Sequence, residues 1–281
     1  MDLSDKVELR WLSAILSDAR DVAPDADFLV VGAMARDLLL HYGYGVPITR
    51  ATTDIDFGLA VAGWDEFQKL RDSILSSEHF TPGRPGNHRL IHRGGIPLDL
   101  IPFGGVERDD GTIMWPEDNS VMGVLGYGEA RATAVEIILP DKQYVATVCL
   151  PMQAILKLMA WSERHTYTPR KDASDLFLVL SNYLNDDNTK RLYDVGTHLF
   201  DSDEFDYQVA GAWLAGYDAA ECIGNNSEYP DRVLDAVEKV LGDEADPNGN
   251  LRLVGELGDK AASGLKLLAG FRDGIGFVLS G

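Results

Sequence analysis

Two aspartates at alternate positions, Asp54 and Asp56, open the apolar run Ile55-Asp56-Phe57-Gly58-Leu59-Ala60-Val61. In a strand, residues i and i+2 point to the same face. The two carboxylates would then stand side by side while Ile55 faces the core. Unit charges roughly 4 Å apart repel by about 4 kcal/mol at an effective dielectric near 20. A bound divalent cation offsets that cost, and full solvation at a strand end is the plainer alternative. A third carboxylate, Asp99, sits in the apolar run Pro97-Leu98-Asp99-Leu100-Ile101-Pro102-Phe103. Alternation sends Leu98 and Leu100 to one side and Asp99 to the other, with Pro97 and Ile101. A lone charge in such a strand is seldom buried without a partner. Asp99 is therefore either a solvent-facing residue on an edge strand or a third metal ligand.

These acids need elements to position them. Asp27-Phe28-Leu29-Val30-Val31 is a short, nearly continuous apolar run, as a buried strand requires. Gly32 follows at once, and a helix is expected from Met34 to Tyr42. A strand–Gly–helix turn aims main-chain N–H groups beyond the strand end, where they suit a phosphate. Glycine also serves there as simple steric relief. Before this unit, Leu9, Leu12, Ile15, Leu16 and Ala19 form a helical stripe over residues 6–20. After it, a loop from Gly43 to Arg50 leads through Thr52 and Thr53 to the aspartate pair. Residues 63–77 read as a helix with Trp64, Phe67, Leu70, Ile74 and Leu75 inward. A Pro/Gly loop covers 81–87. Strands are expected at 88–93 and 96–103, joined through Gly94-Gly95 as a two-residue hairpin turn. Residues 104–131 read as a long glycine-rich loop with a short helix at 119–122, and two further strands at 133–139 and 144–149. His88 and His92 share a strand face and are expected at the surface. Trp64 and Trp115 are expected to pack.

Beyond Pro151 the pattern is helical. Lys157 is the single cation among Met152, Ile155, Leu156, Leu158 and Met159, and Lys171-Asp172-Ala173-Ser174-Asp175 opens the following helix. Further helices are expected at 189–199, 205–220, 229–242 and 258–272, with a solvated turn at 243–250. Two domains result, 1–150 and 151–281.

The chain of 281 residues has 45% hydrophobic and 25% charged residues and a net charge of −20. Neither half is basic, which excludes a broad electrostatic footprint for nucleic acid. Cys149 and Cys222 have neither metal-ligand spacing nor a disulfide framework. Met1-Asp2-Leu3-Ser4-Asp5 is acidic, without the apolar stretch of a secretory signal. No apolar run approaches the length of a membrane span. A cytoplasmic protein with no membrane partner is expected.

The order of Gly32, Asp54-x-Asp56 and Asp99, over residues 25–150, resembles the nucleotidyltransferase superfamily with the DNA polymerase β-like core. Within it the chain is most similar to the AbiEii-type nucleotidyltransferases, toxins of type IV toxin–antitoxin systems. Those carry a lysine on the first C-terminal helix and a Lys-Asp motif on the next, which Lys157 and Lys171-Asp172-x-x-Asp175 match. Val31-Gly32-Ala33-Met34-Ala35-Arg36-Asp37 is also similar to the head of the CCA-adding and poly(A)-polymerase group. Ala33 departs from the usual Gly or Ser. A main-chain phosphate contact survives that change and a hydroxyl contact does not.

The resemblance implies an α+β fold: a mixed-sheet nucleotidyltransferase core flanked by helices, then an all-helical C-terminal domain. It implies transfer of a nucleoside monophosphate from an NTP to an acceptor hydroxyl, with release of pyrophosphate. Asp54, Asp56 and Asp99 would be catalytic and would hold Mg²⁺ or Mn²⁺, because two ions stabilise the entering and leaving oxygens. Gly32, Ala33, Arg36, Thr53, Lys157 and Asp175 would contact the nucleotide, with Arg50 as a further phosphate contact. A tRNA acceptor and a cognate antitoxin partner follow from the toxin resemblance. A protein or aminoglycoside-like small-molecule acceptor is the alternative, and a non-catalytic nucleotide- or partner-binding module is another.

Overall fold

The computed structural model describes the chain apart from residues 48–51, 53, 85–87, 165, 167–168, 202–204, 228–229, 243–249 and 281. The Thr53 and Arg50 assignments and nearly all of the 243–250 turn lie outside the described residues. The chain folds as two compact units, Met1–Cys149 and Leu150–Gly281.

The first unit is built on a seven-stranded mixed sheet. Its strands are β1 (Phe28–Val31), β2 (Ile55–Val61), β3 (Phe80–Pro82), β4 (Arg89–His92), β5 (Pro97–Gly104), β8 (Val135–Ile138) and β9 (Tyr144–Thr147), and β6 (Thr112–Met114) and β7 (Val121–Gly123) form a separate hairpin. The order in the sheet is β3-β4-β5-β2-β1-β9-β8. β2 pairs with β5, and β1 with β9, in parallel; the other pairs are antiparallel. Every residue of β1 is buried, which explains its unbroken apolar run: a central strand is covered on both faces. β2 buries Ile55, Phe57 and Leu59 and leaves Asp56 half-exposed. Helix α1 (Arg10–Val22) buries Leu12, Ile15, Leu16 and Ala19 at helical spacing. Helices α2 (Gly32–Arg36), α3 (Trp64–Leu75) and α4 (Tyr127–Ala132) complete the unit, and α2 continues as a π-helical segment, Asp37–Gly43.

Four local expectations are corrected. The helix expected at 119–122 is instead the start of β7. Asp118 accepts from the Ser120 main-chain N and hydroxyl, and Asn119 takes φ 57°. Asp and Asn side chains that bond their own backbone make a turn rather than a helix. Phe80–Pro82 is an edge strand, where Pro82 need not donate to a ladder. The β4–β5 turn has three residues rather than two: the His92 N–H bonds the Ile96 carbonyl, and Gly95 supplies φ 80°. His92 is not a surface residue. It is buried, with Nε2 2.9 Å from Asp18 Oδ2. His88 instead lies 4.8 Å from the Trp115 ring, in a cluster with Trp64 and Phe67.

The second unit is helical: α5 (Leu150–Arg164), α6 (Pro169–Ser181), α7 (Asp186–Val195), α8 (Tyr207–Asn226), α9 (Pro230–Leu241), α10 (Asn250–Gly255) and α11 (Ala261–Ser280). The fold is thus α+β, with a mixed sheet followed by helices. No helix among the described residues is long and apolar enough to cross a membrane.

Candidate active site

Register assembles the site. Val31 at the end of β1 pairs with Asp56, Asp56 pairs with Asp99 on β5, and Asp99 pairs with Arg89 on β4. Residues level across neighbouring strands share a face of the sheet. Two acids and an arginine therefore stand in one row at the end of β1, where Gly32 begins α2. Gly32 takes φ 65°, and a Cβ placed on it would collide with Asp56 Oδ2 and lie 3.0 Å from Asp56 Cγ. The Asp56 carboxylate thus rests against a main-chain surface that only glycine leaves open. Ala33 follows in the same turn.

Left-handed backbone costs a non-glycine residue roughly 1–2 kcal/mol, before the overlap with Asp56 is counted. Gly32→Ala is expected to lower Tm by several degrees and to push the Asp56 carboxylate out of place. Thermal melts followed by circular dichroism, together with a Mn²⁺ titration, check both effects.

Asp54 directly precedes β2, two residues from Asp56. Arg89 ties the acids together. Its Nε donates to Asp99 Oδ1 at 2.7 Å and its Nη2 to Asp99 Oδ2 at 2.5 Å, while Nη2 stands 3.8 Å from Asp54 Oδ2. The Asp99 hydrogen bonds, opposed by burial and aided by the charges of Asp99, Asp54 and Asp56, raise the Arg89 pKa above its already high value. Sequence reasoning missed Arg89. Its signal, an arginine across a hairpin from Asp99, is visible only once the turn length is known.

Arg36 is buried, and its Nε donates to Asp37 Oδ1 at 2.8 Å. Asp37 in turn accepts from the Thr52 hydroxyl at 2.5 Å. This pair fastens α2 to the segment that leads into Asp54.

Lys157 and Asp175 belong to the second unit. Lys157 does not snorkel to solvent: it is 5% exposed, with Nζ 3.2 Å from Asp172 Oδ1 and 2.6 Å from Asp175 Oδ2. Asp172 and Asp175 lie three apart on α6, so both reach the same lysine on α5. Asp172 also accepts from Arg164 Nε and Nη2 at 2.7 and 2.8 Å. Burial alone would raise the Asp172 pKa. The Arg164 hydrogen bonds and the Lys157 and Arg164 charges outweigh it and hold the carboxyl below its ordinary value.

A carboxyl with a depressed folded-state pKa contributes stability that is present above its unfolded pKa and lost as pH falls through the folded value. The stability gap between wild type and Asp172→Asn should therefore be full at about pH 6 and shrink below about pH 4, the ordinary aspartate range. Urea midpoints measured across that range check the sign.

Among the described residues, no group of three or more His, Cys, Asp or Glu side chains converges to hold a metal ion. Mg²⁺ takes hard oxygen ligands, keeps several of its waters and binds through one or two carboxylates, which substrate phosphates join when they are present. Asp54 and Asp56 fit that pattern, and the open cradle at Gly32 seats the second of them.

No protein-family profile matches the chain, and no curated protein matches it. Its fold is similar to a solved structure described as an antigenic nucleotidyltransferase-like protein from Paracoccidioides brasiliensis. That match has 16% identity and a TM-score of 0.42, and covers 81% of this chain and 92% of the other. At that score the likeness carries no weight for fold or function.

Proposed function

We propose that the chain is a divalent-metal-dependent nucleotidyltransferase, which moves a nucleoside monophosphate from an NTP to an acceptor hydroxyl and releases pyrophosphate. The observation that supports this most is the Asp56–Asp99 row on adjacent parallel strands, with the Asp56 carboxylate resting against left-handed Gly32. The acceptor oxygen attacks the α-phosphorus in line, and negative charge grows on both the entering and the leaving oxygen. Mg²⁺ or Mn²⁺, when bound, supplies the compensating positive charge. Asp54 and Asp56 would hold it, and the main chain of the Gly32–Ala33 turn would meet the triphosphate. Asp99 keeps Arg89 beside the reacting groups, where a fixed cation favours developing charge.

Of the acceptors, a tRNA 3′ end goes with the AbiEii-type resemblance, and a cognate antitoxin would go with it. A net charge of −20 works against sequence-independent RNA affinity, because phosphate contacts supply most of it. Any RNA acceptor would be held by local contacts.

The test is incubation with each labelled NTP and Mg²⁺, with and without total RNA. Label on RNA or on the protein, with pyrophosphate released, supports the reading. Nucleotide binding without pyrophosphate release would replace it with a non-catalytic binding module.

A further inference from the structure

We propose that Arg89 takes the place of one of the two cations that a three-carboxylate set invites, so that the chain binds a single divalent ion, on Asp54 and Asp56. The inference rests on the metal-dependent reading above and concerns how that site is filled.

Three observations carry it. The first is valence. Both oxygens of Asp99 accept from the Arg89 fork at 2.7 and 2.5 Å. A bidentate guanidinium–carboxylate pair is among the strongest polar contacts a protein makes, and here it engages the oxygen atoms that an additional ion would need. Asp99 is only 14% exposed and Arg89 27%, so water competes weakly for the pair. The second is charge. Asp54, Asp56 and Asp99 sum to −3, and Arg89 brings the row to −2, which one divalent ion neutralises. A second divalent ion would leave the row at +2 without substrate. The third is permanence. Arginine does not lose its proton in proteins, so this cation stays through any working pH. The Asp54 oxygen 3.8 Å from Nη2 shows that the same guanidinium spans from Asp99 to the aspartate pair. Register built the arrangement: Arg89 and Asp99 are direct cross-strand partners, so the pair exists without movement of a loop.

Asp99 is then a positioning residue. It orients Arg89, and Arg89 supplies a fixed positive charge where a second ion would otherwise sit.

The test counts ions rather than turnover. Mn²⁺ is titrated into the full chain, and free Mn²⁺ is followed by electron paramagnetic resonance for wild type, Arg89→Met, Asp99→Asn and Asp56→Asn. One Mn²⁺ per chain is expected in wild type, two in Arg89→Met, one in Asp99→Asn and none in Asp56→Asn. Two ions in wild type, a single ion in Arg89→Met, or loss of the ion in Asp99→Asn overturns the inference while leaving metal dependence intact. No Mn²⁺ bound by wild type overturns both. If circular dichroism shows Arg89→Met unfolded, wild type and Asp99→Asn still decide the matter.

Discussion

Asp56→Asn is expected to reduce nucleotidyl transfer by about a thousandfold while leaving the protein folded and at least as stable. The activity loss follows from charge. Asp56 is the acid seated in the Gly32 cradle and level with Asp99, so its removal takes away half of the aspartate pair that would hold the metal in the proposed reaction. Metal stabilisation of the transferring group contributes several kcal/mol, and about 4 kcal/mol corresponds to about a thousandfold in rate. The stability effect has the opposite sign. Asparagine keeps the shape of the side chain and removes one of three like charges gathered around a single guanidinium. Sites assembled for chemistry hold such repulsion at the expense of stability. Initial rates with the preferred NTP, with a urea melt on the same samples, read both effects. A variant that retained wild-type transfer would sink the metal-site reading.

The second large effect concerns the helical unit and is one of folding alone. Gly216→Val is expected to destabilise this unit by about 3 kcal/mol or more. α8 packs along α11 at glycine positions on both sides. A Cβ at Gly216 would collide with the Phe271 carbonyl oxygen and lie 3.2 Å from the Ile275 nitrogen. A Cβ at Gly274 would collide with the Trp213 carbonyl oxygen and lie 2.8 Å from the Tyr217 nitrogen. Glycine costs roughly 1 kcal/mol relative to alanine inside a helix. Here it is tolerated because it lets two backbones touch. The obstacles are main chain rather than flexible side chains, so the helices must separate, and overpacking of a tight core costs about 1–3 kcal/mol even where side chains can yield. Chemical denaturation of the full chain should show an earlier midpoint for Gly216→Val and for Gly274→Val. By contrast Gly224→Ala, on the same helix but with nothing within 4 Å of the added Cβ, should be neutral or slightly stabilising. An unchanged midpoint for both valine variants would contradict the close approach.

Much of this architecture is legible in the sequence because it depends on local pattern. A continuous apolar run becomes a central strand at Phe28–Val31, and alternation around Asp56 becomes a strand with its acid half-exposed. The stripe of Leu12, Ile15, Leu16 and Ala19 becomes a helix face. The short-range pattern fails where turn chemistry competes with it. Asp118-Asn119-Ser120 makes a turn and a strand where a helix is expected, because its side chains bond the nearby backbone.

Arg89 shows most clearly where local pattern stops. With a two-residue turn at Gly94-Gly95, Leu90 would stand opposite Asp99. The observed three-residue turn shifts the pairing by one and brings Arg89 there instead. A one-residue slip reverses which face every side chain takes, and no apolar pattern distinguishes the two registers in so short a hairpin. Lys157 is similar. Its place on an apolar helix is written in the spacing, but its pairing with Asp172 and Asp175 depends on how α5 and α6 pack. By itself the sequence determined the elements and the acids they carry, since strand and helix periods and glycine's conformational freedom act within a few residues. Tertiary structure alone decided which charges meet: Arg89 with Asp99, Lys157 with the α6 aspartates. Register and helix packing are set by contacts between segments distant along the chain.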